Sequence, residues 1–145
     1  MKVFLISAMM MLSPLFAQAD TTNAKAFGDT TVYFSAFNSS FIKPEVASAY
    51  NITRGVDKGL VNIAVVEKGS STGRTAVVEG SVSNIFAQQQ TLDFFEVREG
   101  DAVYYLAPFE FEHEDPLTFK VQVRNNAGDK PYNVTFQRTF YHDNK

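Results

Sequence analysis

Glu110-Phe111-Glu112-His113-Glu114-Asp115 sets four carboxylates and an imidazole within six residues, the densest group of potential ligands in the chain. Carboxylate oxygens suit Ca²⁺, and an imidazole among them suits Zn²⁺. Glu112, His113, Glu114 and Asp115 are therefore the weak metal-ligating candidates. The plainer reading makes Glu110 and Glu112 the solvent face of a strand whose other face carries Phe109 and Phe111. The last four residues of the run then form the loop before Pro116. Zinc asks for three or four ligands, and His113 and His142 are the chain's two histidines. Blue copper requires cysteine, of which there is none. No metal or cofactor is expected on these grounds.

Arg138 lies on the apolar phase of its segment, between Phe136 and Phe140. A guanidinium there must reach the rim of the core or pair with an acid. A second polar and aromatic group runs from Phe37 to Arg54: Asn38, Ser39, Ser40, Phe41, Lys43, Tyr50 and Arg54. Aromatic anchors beside polar groups and a basic residue suit an interface or a shallow cleft. They equally suit closure of the end of a β-sandwich. Asn38, Phe41, Tyr50, Arg54 and Arg138 are the binding candidates.

Catalytic signatures are missing. No G-x-S-x-G elbow occurs, and neither histidine lies in a local nucleophile motif. The glycines read as turns or bulges, and none precedes a helix as a phosphate cradle would. A carboxylate pair for glycan hydrolysis is the one catalytic reading left open, since two acids distant in sequence can meet in space. An enzyme is not expected.

The elements that must position these residues are strands. Leu117, Phe119, Val121 and Val123 alternate with Thr118, Lys120, Gln122 and Arg124, the period-two pattern of a strand with one wet face. Segments 30–37, 60–67, 75–83, 91–97, 103–112 and 132–140 complete a set of seven. Turn residues separate them at 68–73, 98–101 and 125–129. Between Leu92/Phe94 and Phe95/Val97 the apolar phase slips, which predicts a bulge. Pro44 at a first helical position, Glu45 in the first turn and the spacing of Val46, Ala49 and Tyr50 predict a short helix capping an open end. Residues 20–26 read as a loose tail. The pattern predicts an all-β, immunoglobulin-like antiparallel β-sandwich of about seven strands with one short capping helix, a small closed barrel being the alternative.

The chain opens as an address. Lys2, the apolar run from Val3 to Leu12, Ser13-Pro14 and Ala17-Gln18-Ala19 form a secretory signal peptide over residues 1–19, leaving residues 20–145 as one domain. All four methionines fall within it, so the remainder has no Met, Cys or Trp. Its fold rests on its own core, with no disulfide. The whole chain carries a net charge of −3, which gives no basic surplus for nucleic acid. No further apolar run is long enough for membrane insertion after cleavage.

Four segments together resemble a bacterial family, domain of unknown function 4426. They are FGDTTVYFSAFNSSFIKPEVASAY (27–50), GLVNIAVVEKG (59–69), REGDAVYYLAPF (98–109) and FQRTFYHD (136–143). The resemblance implies an exported, periplasmic, all-β domain of a Gram-negative bacterium. It implies no catalytic or binding residue. In that setting the N-x-S/T matches at Asn38, Asn51 and Asn133 read as chance. The expected function is a non-catalytic protein-interaction module meeting an envelope protein partner through an exposed sheet edge or the 37–54 segment. A periplasmic protein binding a small ligand or divalent metal is the alternative, and a glycan-acting enzyme stands third.

Overall fold

The alternation that marks the strands builds two antiparallel sheets in the computed structural model, which describes residues 23–142. The signal peptide expected over residues 1–19 lies outside the described residues. In chain order the strands are β1 (Asn23–Phe27), β2 (Thr30–Asn38), β3 (Lys58–Glu67), β4 (Val77–Ser83), β5 (Gln89–Leu92), β6 (Phe95–Glu99), β7 (Ala102–Glu110), β8 (Asp115–Arg124) and β9 (Tyr132–Phe140). The helix α1 (Pro44–Ala49) follows a 3₁₀ turn at Ser39–Phe41. The first sheet runs β1-β2-β3-β7-β6 and the second β5-β4-β8-β9, giving a sandwich and not a closed barrel.

An apolar phase of β2, β3, β4, β5, β7, β8 and β9 faces the opposite sheet. Val32, Ala36, Val61, Ile63, Val65 and Ala107 from the first meet Val82, Phe119, Val121, Val123 and Val134 from the second. Phe109 sits edge-on to Phe119 and to Phe140, each at 5.1 Å, and Phe119 stacks on Phe136 at 4.8 Å. Each large side chain buried this way contributes about 1.5–3 kcal/mol. Gly59 makes room for that cluster: a Cβ there would stand 2.4 Å from the Phe109 ring.

Two differences account for nine strands among the described residues where seven were expected. Residues 23–27 are not a tail but pair with β2, Phe27 opposite Thr30 and Asn23 opposite Phe34. The strand is mostly exposed and alternates only the small Ala24 and Ala26 with Asn23 and Lys25, so period-two reading passes over it. Its signal is Gly28-Asp29, a two-residue hairpin loop with Gly28 at φ 64. The second difference is the phase slip after Leu92. There the chain leaves the edge of one sheet and joins the edge of the other, Gly80 pairing with Leu92 in β5 and Leu106 with Phe95 in β6. A bulge and a change of sheet shift the apolar phase alike.

The sandwich's other flank, between β2 and β9, is closed by side chains. Phe27 packs on Tyr132 at 4.7 Å and Phe34 on Phe136 at 4.9 Å. The Arg138 guanidinium donates to the Ala36 carbonyl, and the Asn38 amide donates to the Tyr141 carbonyl at 3.0 Å.

The helix sits elsewhere than expected. Phe37 pairs with Leu60 and Leu60 with Pro108, on the face of the first sheet turned away from the other sheet. Ile42 and Ala47 join Phe37 and Leu60 in a separate small core, each at most 4% exposed. The segment thus roofs the outer face of the first sheet, not the opening between sheets. Val46 and Ala47 supply its apolar side, whereas Ala49 is exposed.

Candidate functional site

At one end of the sandwich, the ends of β2, β4, β7 and β9 and the starts of β3, β5 and β8 bring most of the sequence-selected residues together. Phe111 follows β7 and is 4% exposed, its ring 5.1 Å from Phe140. The Glu112 amide donates to Asp115 Oδ2 at 2.9 Å, closing a tight turn in which Glu114 adopts φ 54. Asp115 already belongs to β8, so the loop ends one residue sooner than expected. Glu112, His113 and Glu114 are exposed.

His142, far along the chain, lies against this turn. Its backbone amide donates to His113 Nδ1 at 3.0 Å, its Nε2 approaches the Phe111 carbonyl at 3.3 Å, and the two imidazoles are 5.5 Å apart. Accepting at Nδ1 assigns the neutral His113 proton to Nε2, so the His142 amide takes up the Nδ1 lone pair. Sequence reasoning missed this pairing of the chain's two histidines, which lie 29 residues apart. Among the described residues, no three or more His, Cys, Asp or Glu side chains are grouped to hold a metal ion.

Glu110, just before the turn, pairs with Lys58 at 2.7 Å. The bond to Glu110 raises the Lys58 pKa, against the opposing effect of desolvation. Gln90 brackets the same residue, its Nε2 donating to the Glu110 carbonyl at 2.7 Å and its Oε1 accepting from the Glu110 amide at 2.9 Å. Between β5 and this turn lies a groove of about 320 Å³ lined by Asp57, Glu110, Glu112 and Asp115 opposite Asn84 and Gln88.

Beside that groove the β4–β5 connection presents two large apolar side chains to solvent, Ile85 at 69% and Phe86 at 76% exposure. The loop has a defined geometry. Asn84 Oδ1 accepts from the amides of Phe86 at 2.9 Å and Gln88 at 3.0 Å, and Asn84 Nδ2 donates to Gln88 Oε1 at 2.7 Å. Ala87 sits at φ 65, a conformation that costs a non-glycine residue about 1–2 kcal/mol. Asn84's bonds hold the tip in place despite that cost. Sequence reading did not single out this loop. The available signal was an Ile-Phe pair between a turn-forming Asn and three glutamines.

The binding candidates distribute differently. Phe41 packs on Phe37 at 6.4 Å as part of the small core under α1. The Tyr50 hydroxyl donates to Glu99 Oε2 at 3.1 Å, and partial burial, then the Glu99 bond and charge, raise its pKa. Arg54 donates to the Ser40 carbonyl at 3.3 Å. Asn38 and Arg138 fasten β2 to β9, and the Arg138 guanidinium also lies 5.1 Å over the Phe140 ring. Of these, Arg138 lines a second groove beside Ile85, together with Pro116, Gln137 and Thr139.

The family model for the domain of unknown function DUF4426 matches residues 24–143, so the chain belongs to that family. It is similar to a DUF4426 family protein from Pseudomonas aeruginosa PAO1, with 32% identity, a TM-score of 0.75, and coverage of 84% of this chain and 96% of that one. It also shares its fold with FetP of a uropathogenic Escherichia coli strain, at 9% identity and a TM-score of 0.56 over 84% of this chain and 95% of that one. A copper-bound variant of FetP gives a TM-score of 0.57 at 9% identity, covering 83% and 95%. At that identity the likeness is one of fold alone. No curated protein matches the chain in sequence. Among the described residues, no helix is long and apolar enough to cross a membrane.

Proposed function

We propose that this chain is an exported, periplasmic, non-catalytic protein-interaction module that meets an envelope partner through the β4–β5 loop. The observation that carries the reading is the loop tip, where Asn84 fixes a turn that leaves Ile85 and Phe86 69% and 76% exposed. Exposing two large apolar side chains costs solvation unless something covers them. Holding them in one geometry reduces the ordering cost when a partner does so. Export rests on the leader-like residues 1–19, and processing there is checked by N-terminal sequencing of the protein recovered from the periplasm.

Replacing both tip residues, Ile85→Ser with Phe86→Ser, tests the contact. Expressed with its own leader and cross-linked in cells, the unmodified chain should bring down one envelope protein in near-stoichiometric amount. The double variant should melt at the same temperature and lose that protein. A variant that keeps the partner removes the loop from the interface.

A further inference from the structure

We infer that the partner's socket for Ile85 and Phe86 is an apolar pocket in a protein, edged by lysine or arginine on the side that meets the Glu112–Asp115 turn. This rests on the interaction reading above and specifies the chemistry of the partner. Three classes of surface could cover an apolar tip: a lipid bilayer, a second copy of this chain and a different protein. Charge beside the tip separates them.

The loop itself is neutral from Asn84 to Gln90. Across the adjoining groove stand Asp57, Glu110, Glu112 and Asp115. Lys58 lies beside Glu110 and Asp57, at 2.7 and 4.0 Å, and so offsets one of those four carboxylates. Glu114, exposed on the same turn, adds a further negative charge. An apolar tip that enters an anionic membrane has cationic neighbours to meet the headgroups; here the neighbours on the groove side would be repelled, and Arg138, in the groove on the other side of Ile85, is engaged by the Ala36 carbonyl. A second copy docking with the two-fold axis through the groove would oppose one set of carboxylates to another. A basic-edged socket satisfies both parts of the surface: the aromatic and branched side chains fill the pocket, and the carboxylates steer and orient the approach.

The experiment places a photo-cross-linking benzoylphenylalanine at Phe86 in the full chain, expressed in cells with its own leader. It runs in three backgrounds: unchanged, Glu112→Gln with Glu114→Gln, and Glu112→Lys with Glu114→Lys. The expected result is one protein adduct whose cross-linked peptide carries or adjoins lysine or arginine. Its yield should fall in the neutralised variant and be lost in the reversed one, with melting temperatures unchanged. If reversal destabilises the fold, the neutralised variant carries the test. An adduct of the same yield in all three backgrounds overturns the charge inference and leaves the loop contact standing. Absence of any adduct overturns both. An adduct between two copies of this chain overturns the heterologous socket. Flotation of the purified chain with phosphatidylglycerol vesicles would assign the tip to lipid.

Discussion

Segment 38–57 and loop 84–88 both set large apolar side chains among asparagine, serine or glutamine, and the fold treats them in opposite ways. In the first, Ile42 is 1% exposed and packs with Phe37 and Leu60, because β2 and β3 turn apolar residues onto the outer face of their sheet. In the second, Ile85 and Phe86 extend past the end of the second sheet and stay 69% and 76% exposed. Aromatics beside polar groups are therefore no sign of an interface by themselves. The deciding question is whether another element offers an apolar surface within reach. Segment 38–57 has one and becomes a roof; loop 84–88 meets none among the described residues.

Substitutions can sharpen that contrast. Phe37→Ala should have the largest effect, a loss of about 3–5 kcal/mol in urea unfolding, because it empties a site sealed between sheet and helix. Arg138→Met should cost about 1–3 kcal/mol by removing the donor to the Ala36 carbonyl, and should loosen the β2–β9 flank in hydrogen exchange.

Acid should act on the strand ends remote from the loop. The Arg74 bond, then Thr30, hold Glu67 below the usual carboxylate range, and Arg98, then Tyr105, do the same for Glu96. These carboxyls ionise more readily folded than unfolded. Their contribution is present above the unfolded carboxylate pKa and is lost as pH falls through the lower folded value. Unfolding followed against pH should show that decline, and Glu67→Gln should flatten it. Tyr50→Phe should cost under about 1 kcal/mol, since the Glu99 bond it removes is exposed. Smallest of all, Ile85→Ser with Phe86→Ser should shift stability by no more than about 0.5 kcal/mol, because those side chains are 69% and 76% exposed.

Much of the sandwich was legible because a half-buried strand writes its face into every second residue, as Leu117 to Val123 do. β1 was not, because both of its faces are largely exposed and its pairing with β2 comes from backbone bonds that any side chain allows. The join between β5 and β6 was visible as a change of phase, but its nature depends on which sheet edge takes up Phe95. Pro44 located α1, whereas its seat required knowing that Phe37 and Leu60 face outward. At the candidate site, the Glu112–Asp115 turn was readable from composition. The approach of His142 to His113 and the exposure of Ile85 and Phe86 were not, since both depend on tertiary neighbours.

The two regions can be set against each other in one measurement: the in-cell cross-linked partner yield for Ile85→Ser/Phe86→Ser and for Tyr50→Ala/Arg54→Ala, each normalised to folded protein. The loop account predicts that the first pair abolishes the adduct and the second leaves it intact. An adduct that survives the loop change and disappears with Tyr50 and Arg54 would contradict it and move the contact surface to the roof.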